Sequence, residues 1–516
     1  MPHRLPSIFR YKLSDDVLMA ILGHFDPATL WCACKAFERV RTLTMGYQHL
    51  RYIYELAVTG MKDGPGFAHR NNRLELLLAY KRDWPTLNWT HETAMQVPSP
   101  CRVGVSGGFL HEIWDTGPQQ STLQLTELPS FRTGHPPATP RQVRFNTSKI
   151  ECAVVDNAQA LIITGQVISA QNGQIGMRLS IRDLWTFGKH PRATSPIYDF
   201  TTQSSLRISN VSMIICGGKL LVSIEFAGGR IRHHLLDWRS LASKWLDDQD
   251  VCFINSRHLL AIGKTNDNTP ILNLYNIHQV TNLSIEREYE LPEHWRNSVV
   301  SFSQNLSPAA DLPDSQSALF YPDPTVRVFL LTARERTTSP PVGGLPPPTR
   351  QQWLFINESY FRAASRRDRI RVPWGVWGKL CLMRNIPATM VPMRGPQVVG
   401  TKVVYLELDE RHLHNRPAGQ TRNCPSRLSI IDFAPFPETA GKQSGGWAVG
   451  SESMLIPNET SRDLPANTVN GLTVEAIRVT EDNIALFLEV QPNYRPVMVL
   501  SFGLTNRPRG IHNSSL

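Results

Sequence analysis

No apolar run in this sequence approaches the roughly 20 residues that a bilayer-spanning helix needs. The first residues carry Arg4, Arg10, Lys12, Asp15 and Asp16 around no long apolar core, so no secretory leader is read there. Cysteine is sparse, eight in 516 residues. Cys32, Cys34, Cys101, Cys152, Cys216, Cys252, Cys381 and Cys424 form no C-x-x-C pair and no Cys/His cluster at ligand spacing. That argues against a zinc site and against a disulfide framework. A reducing compartment, cytoplasmic and/or nuclear, is the expectation, with no membrane contact.

Catalytic signatures are missing as well. There is no P-loop, no dinucleotide fingerprint, no nucleophile elbow and no H-E-x-x-H. "GVSGG" at 104–108 imitates a glycine-rich loop, but no helix follows it. His233 and His234 are neighbours on a strand, so their rings point to opposite faces and cannot share a metal. Asp183, Asp237 and Asp432 are read as strand-terminating residues that bind turn backbone, ahead of a reading as converging catalytic carboxylates. The expectation is a non-catalytic protein without metal or cofactor.

Proline (38) and glycine (33) are plentiful, which suits a fold with many turns. From about residue 100, short β-branched runs alternate with turns, as in "ALIITGQVIS", "PILNLYNI" and "KVVYLEL". Several runs end in an acid or amide beside an aromatic: Asp183-Leu184-Trp185, Asp237-Trp238, Tyr275-Asn276 and Asp432-Phe433. Where these landmarks are regular their spacing is roughly that of four-stranded propeller blades. A β-propeller-like domain over 96–516 is expected, and a pair of β-sandwiches is the competing architecture. A low-complexity stretch, "TTSPPVGGLPPPTR" at 337–350, reads as a loop between strands.

The net charge is +10 and scattered, except in "FRAASRRDRIRVPWGVWGK" at 361–379. There Arg366, Arg367, Arg369 and Arg371 precede Trp374 and Trp377. This is the candidate target-binding patch, suited to an acidic or phosphorylated protein, since guanidinium grips phosphate bidentately. The competing reading puts both tryptophans in the core. Nucleic acid ranks behind protein as the partner of this patch.

The N-terminus is helical. Leu13, Val17, Leu18, Ile21, Leu22 and Phe25 recur on one helical face, with Ser14 as N-cap. Asp26 and Pro27 suit the start of a second helix, "ATLWCACKAF", and a third follows through "ERVRTLT". Two longer helices follow, "YQHLRYIYELAVTGM" and "RNNRLELLLAYKRDW". Three short helices alone bury little, so their apolar faces must meet the rest of the chain or another protein.

Residues 13–40 resemble an F-box, the module that docks a ubiquitin-ligase receptor onto the Skp adaptor and through it onto a cullin. Leu13, Asp16, Val17, Leu18, Ile21, Leu22, Phe25, Asp26, Pro27 and Leu30 stand at the positions of the family pattern. Ser14, Lys35 and Val40 depart from it. "YIYELAVTGMKDGP" and "RLELLLAYKRDWPTLNW" extend the resemblance to F-box proteins of basidiomycete fungi, and "SGG", "LPS", "SIRDLWTFGKHPRA" and "LLDWRSL" follow in that group's order. The resemblance implies an α + all-β chain: an F-box over 1–45, a helical spacer over 46–95, and the β domain. It implies adaptor contacts through Leu13, Asp16, Val17, Leu18, Ile21, Leu22, Phe25, Pro27 and Leu30, and a target held on the β domain. A non-ligase scaffold or nucleic-acid-binding propeller is the alternative.

Overall fold

The computed structural model describes residues 13–503, apart from 68–69, 134–138, 147–148, 170–173, 203, 205, 266, 308–312, 314–315, 336–350, 363–369, 388, 391–394, 409–424, 434–456 and 465–471. The proline-rich stretch 337–350 and Arg366, Arg367 and Arg369 lie outside the described residues.

Local capping sets the first helices. Ser14 Oγ accepts from Val17 N at 3.4 Å and opens α1 (Asp15–Leu22), whose first turn holds Asp15 and Asp16 where the helix dipole favours them. Asp26 accepts from Thr29 N at 3.0 Å and opens α2 (Pro27–Ala36), with Pro27 in its first turn. The Thr29 hydroxyl and amide hold the Asp26 carboxyl below its usual range. Helices α3 (Glu38–Gly46) and α4 (Gln48–Thr59) follow, and α4 ends at Gly60 with φ 68°, a left-handed cap that glycine adopts without strain.

Helix α4 has two working faces. Leu50, Tyr54 and Val58 close a core with Leu22, Leu30, Cys34 and Val40. Tyr52 and Leu56 face the other way, joining α5 (Arg70–Asp83) and the β domain. Glu55, almost fully buried, receives Lys81 Nζ at 2.9 Å and so ties α4 to α5.

Seven sheets follow, each built on four antiparallel strands. Blades one to six occupy 102–145, 152–201, 208–246, 250–290, 298–385 and 397–463. The seventh joins 474–501 to the early strand His91–Pro98, which pairs with Tyr494–Ser501 from His91↔Ser501 to Pro98↔Tyr494. The β domain is therefore a seven-bladed propeller closed by its own first strand. This corrects the expected boundary at residue 96: 91–98 belongs to the propeller, not to the spacer. It also replaces the sandwich alternative. The sheets stack face to face, so central strands are apolar on both sides. Between blades two and three, Ile163, Leu179 and Ile181 meet Leu220, Val222 and Trp238.

One turn repeats around the ring. The third strands end at Glu127, Asp183, Asp237, Asn276, Asn357, Asp432 and Ser501. Asp183 Oδ1 accepts from the N–H groups of Trp185 and Thr186, Asp237 Oδ1 from Arg239 and Ser240, Asn276 Oδ1 from His278, and Asn357 Oδ1 from Ser359. Asp432 accepts from the Thr401 hydroxyl at 3.1 Å. The next residue turns inward. Leu128, Leu184, Trp238, Ile277, Glu358, Phe433 and Phe502 are all buried, and each donates its N–H to the first hairpin of its own blade at 2.7–3.1 Å. Six of these plugs are apolar; Glu358 is the exception.

The helical unit is seated on the ring. Trp84 stacks on Phe502 at 4.1 Å and donates Nε1–H to Glu481 O at 2.8 Å. Strand Met61–Asp63 pairs with Phe320–Pro322, and Gly64 N and Gly66 N continue the pairing to Leu319 O and Ala318 O at 2.9 and 2.8 Å. A Cβ on Gly64 would run into the Ala318 carbonyl. Gly64→Ala is therefore expected to lower the stability of the joined unit by about 1–3 kcal/mol, because backbone must shift. It should also speed proteolytic cleavage between helices and propeller. An unchanged denaturation midpoint and cleavage pattern would show that this approach is not needed.

Candidate docking face and propeller channel

Helix α1 turns one side inward and leaves another open. Leu13, Val17 and Ile21, four residues apart, are 49%, 47% and 41% exposed. Phe37, at the α2–α3 junction, is 63% exposed. Arg39 on α3 donates to Leu13 O and pairs with Asp15, both at 2.5 Å, which fixes the start of α1 against α3. Asp16 is exposed, and Leu18, Phe25 and Pro27 are half-buried. Leu22 and Leu30 are buried in the helical core and form no part of the surface, a correction to their assignment as contact residues. The periodicity that marked them is the same for core and contact positions. The departures also find roles. Ser14 caps α1, Val40 fills the helical core, and Lys35 lies over the Trp31 ring at 5.3 Å from its centroid.

The basic segment divides differently from the expectation. Strand Ile370–Val372 adds itself to the edge of blade four, parallel to Ser284–Glu290. Arg371, exposed, pairs with Glu290 at 2.8 Å. Trp377 is fully buried between blades four and five and donates Nε1–H to Glu290 O at 2.8 Å, so it is core and not target-binding surface. Trp374, half-buried, packs edge-on against it at 5.2 Å. The seam between two blades leaves a groove that large aromatics fill, and sequence adjacency to arginines carries no information about that.

The channel has two compartments. The inner one, about 220 Å³, lies where the first hairpins of the blades turn, at Gly107, Asn157, Thr480 and Asp482. Helix α5 backs this end: Tyr80 OH donates to Glu481 Oε2 at 3.3 Å, and Lys402 lies over the Tyr80 and Trp84 rings. Arg132, Asp482 and Arg327 line it, and each arginine is held in a buried ion pair. Arg132 meets Asp482 at 2.9 Å, and Arg327 meets Glu358 at 2.6 Å. Glu481 is buried, bonded to Ser307, and burial raises its pKa. The outer compartment, about 770 Å³, opens among the beginnings of the inner strands, from Cys101, Glu151 and Asn210 to Ser301 and Gln397. No local pattern marks these groups, because they lie on different blades far apart in the chain.

Beside the channel wall, Glu112 is buried and accepts from Gln124 Nε2 at 3.0 Å. Burial pushes its pKa up from 4.5 to about 7. A raised acid pKa costs nothing below the unfolded value and its full amount above the folded one. Glu112→Gln should therefore match the parent below pH 4.5 and exceed it at pH 8, by about 1–3 kcal/mol. Thermal melts across that range check it, and identical profiles would refute it.

Asp183, Asp237 and Asp432 bind turns and do not converge. His233 bonds Ser223 Oγ at 2.8 Å while His234 stacks on Phe200 at 4.2 Å, so the two rings are on opposite faces. Among the described residues no three His, Cys, Asp or Glu side chains are grouped to hold a metal, and no helix is long and apolar enough to cross a membrane.

These features define a seven-bladed β-propeller carrying a helical module with one apolar face open. No protein-family model and no curated protein matches the chain. Solved structures with a similar chain course include the WD40 domain of SCAP from fission yeast, at 9% identity over 79% of this chain and 85% of that one, TM-score 0.35. The Nup133 β-propeller domain of Vanderwaltozyma polyspora has 9% identity over 79% and 97%, TM-score 0.36. The polysaccharide lyase Uly1 has 7% identity over 78% and 90%, TM-score 0.36.

Proposed function

We propose that this protein is the substrate-recognition subunit of a Skp-cullin-F-box type ubiquitin ligase, non-catalytic itself, acting in the cytoplasm and/or nucleus. The observation that carries the reading is the open stripe Leu13, Val17, Ile21 along a helix whose sequence resembles the F-box and whose other side packs through Leu22, with Leu18 and Met19 half-buried, on the helical core. Exposed apolar rows of this kind mark protein interfaces. The α4–α5 pair would act as a stiff spacer, since Trp84, Tyr52 and the paired strand Met61–Asp63 fasten it to the ring. The channel mouth opens at the end of the ring away from α5, leaving that end free for a target protein. Rate enhancement then comes from proximity: tethering raises the effective concentration of a target lysine near the charged conjugating enzyme.

Affinity purification of the full chain tests this. Skp and cullin should co-purify. Recovery of the intact chain without either would replace the ligase reading with that of a scaffold or nucleic-acid-binding propeller.

A further inference from the structure

Many arginines of the blades are answered by a carboxylate. Arg102 meets Asp115, Arg178 meets Asp199 and Arg495 meets Glu475, at 2.7–2.8 Å. One stretch of the ring departs from this. Arg141 of blade one, Arg182, Lys189 and Arg192 of blade two, and Arg239 of blade three lie around the third-strand turns. None of the five has an ion pair among the described residues. Asp183 is the one carboxylate between residues 182 and 194, and the amides of Trp185 and Thr186 hold it in its turn.

Short contacts gather these cations. Arg182 and Lys189 are cross-strand partners. Lys189 Nζ donates to Thr194 O at 3.0 Å, and Thr194 N donates to Arg239 O at 3.0 Å, which joins blade two to blade three. Arg239 Nη2 donates to Gln159 Oε1 at 2.9 Å, Gln159 O bonds His190 Nε2 at 3.0 Å, and Arg192 N donates to His190 Nδ1 at 3.2 Å. Trp185 stands among them, 50% exposed. The Arg141 guanidinium lies over its ring at 4.5 Å from the centroid and donates to Leu184 O at 3.4 Å, and Phe109 meets the indole edge-on at 6.2 Å. Burial lowers the Arg141 pKa, and Glu127 on the neighbouring strand opposes this without pairing with it. Cations gathered without counter-charge repel one another, and an indole left half in water forgoes burial. A ligand that is both anionic and flat relieves both.

We propose that this turn face of blades one to three binds single-stranded nucleic acid, with Trp185 stacking a base and Arg182, Lys189 and Arg192 meeting backbone phosphates. An aromatic platform beside a basic track grips an unpaired strand without reading its sequence. A duplex keeps its base faces covered and can use only the charges. An acidic protein segment uses the charges and leaves the indole without a stacking partner. The face lies at the end of the ring where the first hairpins turn: Leu184 N reaches Ala160 O, in the same hairpin as Asn157 of the inner compartment. It is therefore separate from the open mouth assigned to a target protein, and the inference does not depend on adaptor docking.

The test is fluorescence polarisation of the full chain with labelled oligo(U) and oligo(dT), a duplex of the same length, and polyglutamate as competitor. At least one single strand should bind, more tightly than the duplex, and its identity tells RNA from DNA. Polyglutamate should compete poorly. Trp185→Ala should weaken binding about tenfold and leave the salt dependence unchanged, with Trp185→Phe close to the parent because it keeps a stacking ring. The combined replacement Arg182→Gln, Lys189→Gln and Arg192→Gln should flatten the slope of log affinity against log salt by about 2, since each phosphate contact to a single strand contributes roughly 0.7. Arg371→Gln, on the edge of blade four, should change neither. No binding of either strand at low salt, or Trp185→Ala and the triple variant binding like the parent, overturns the site. A duplex bound as tightly as the single strands overturns the stacking role, and polyglutamate displacing as well as unlabelled oligo(U) assigns the face to an acidic protein instead. Each variant is also checked for its melting temperature and for Skp co-purification, so a failure of this face is distinguishable from a folding defect and from a failure of the ligase reading.

Discussion

Val17→Asp combined with Ile21→Asp is expected to strip Skp and cullin from the purified protein while leaving the propeller melt unchanged. Both side chains are more than two-fifths exposed, and the cluster beneath α1 contains no propeller residue. Aspartate at either position is solvated in the free chain, so folding loses little. In a complex the same carboxylates would be desolvated against an apolar partner surface. An unpaired charge there costs several kcal/mol, enough to move a tight complex below detection. Leu22→Asp serves as contrast. It buries the charge in the helical core itself and should unfold α1–α3 as well as abolish docking. Undiminished recovery of the adaptor with the double variant would remove the docking role from this face.

The second large effect is expected at Glu358. It occupies the place where the other six blades insert an apolar plug. Its tolerance rests on Arg327, whose Nε meets Glu358 at 2.6 Å while Nη1 and Nη2 reach Ser307 O and Ile254 O at 3.1 and 2.7 Å. The pair thereby bonds blade five to blade four. Removing one member strands the other charge in the interior. Arg327→Met and Glu358→Leu should each cost about 3–5 kcal/mol. The double replacement should recover much of that, though not all, since the carbonyls lose their donor. A denaturant double-mutant cycle measures the coupling. Single variants within 1 kcal/mol of the parent would show that the pair is not what holds this seam.

Much of the ring was legible because one turn repeats. Asp183, Asp237, Asn276 and Asp432 were visible in the sequence because a tight turn at the end of a third strand needs a short acceptor side chain, and the inward plug after it is usually large and apolar. Blades one, five and seven carried no such landmark for physical reasons: Glu127 is followed by the aliphatic plug Leu128, Asn357 by the charged plug Glu358, and Ser501 is neither an acid nor an amide. The helical caps at Ser14 and Asp26 were readable because capping is local. The strand at 91–98 was not, since nothing near it in sequence says what it pairs with. Leu22 and Leu30 were misassigned because a helical face is marked by period alone, and both sides of α1 are apolar. The channel lining was not legible either, since it is assembled from separate blades.

The closing strand also sets a schedule for synthesis. His91–Pro98 leaves the ribosome about 400 residues before Tyr494–Ser501, its partner. At about 5–20 residues per second that interval is roughly 20–80 s. The core of α1–α4 is local and can form at once, but the ring cannot close until the last blade emerges. Throughout elongation the nascent chain therefore displays an unpaired strand edge next to a finished helical unit. A chain stopped before residue 494 would keep that edge permanently, so premature termination should yield a product that aggregates or is held by chaperones rather than a smaller propeller.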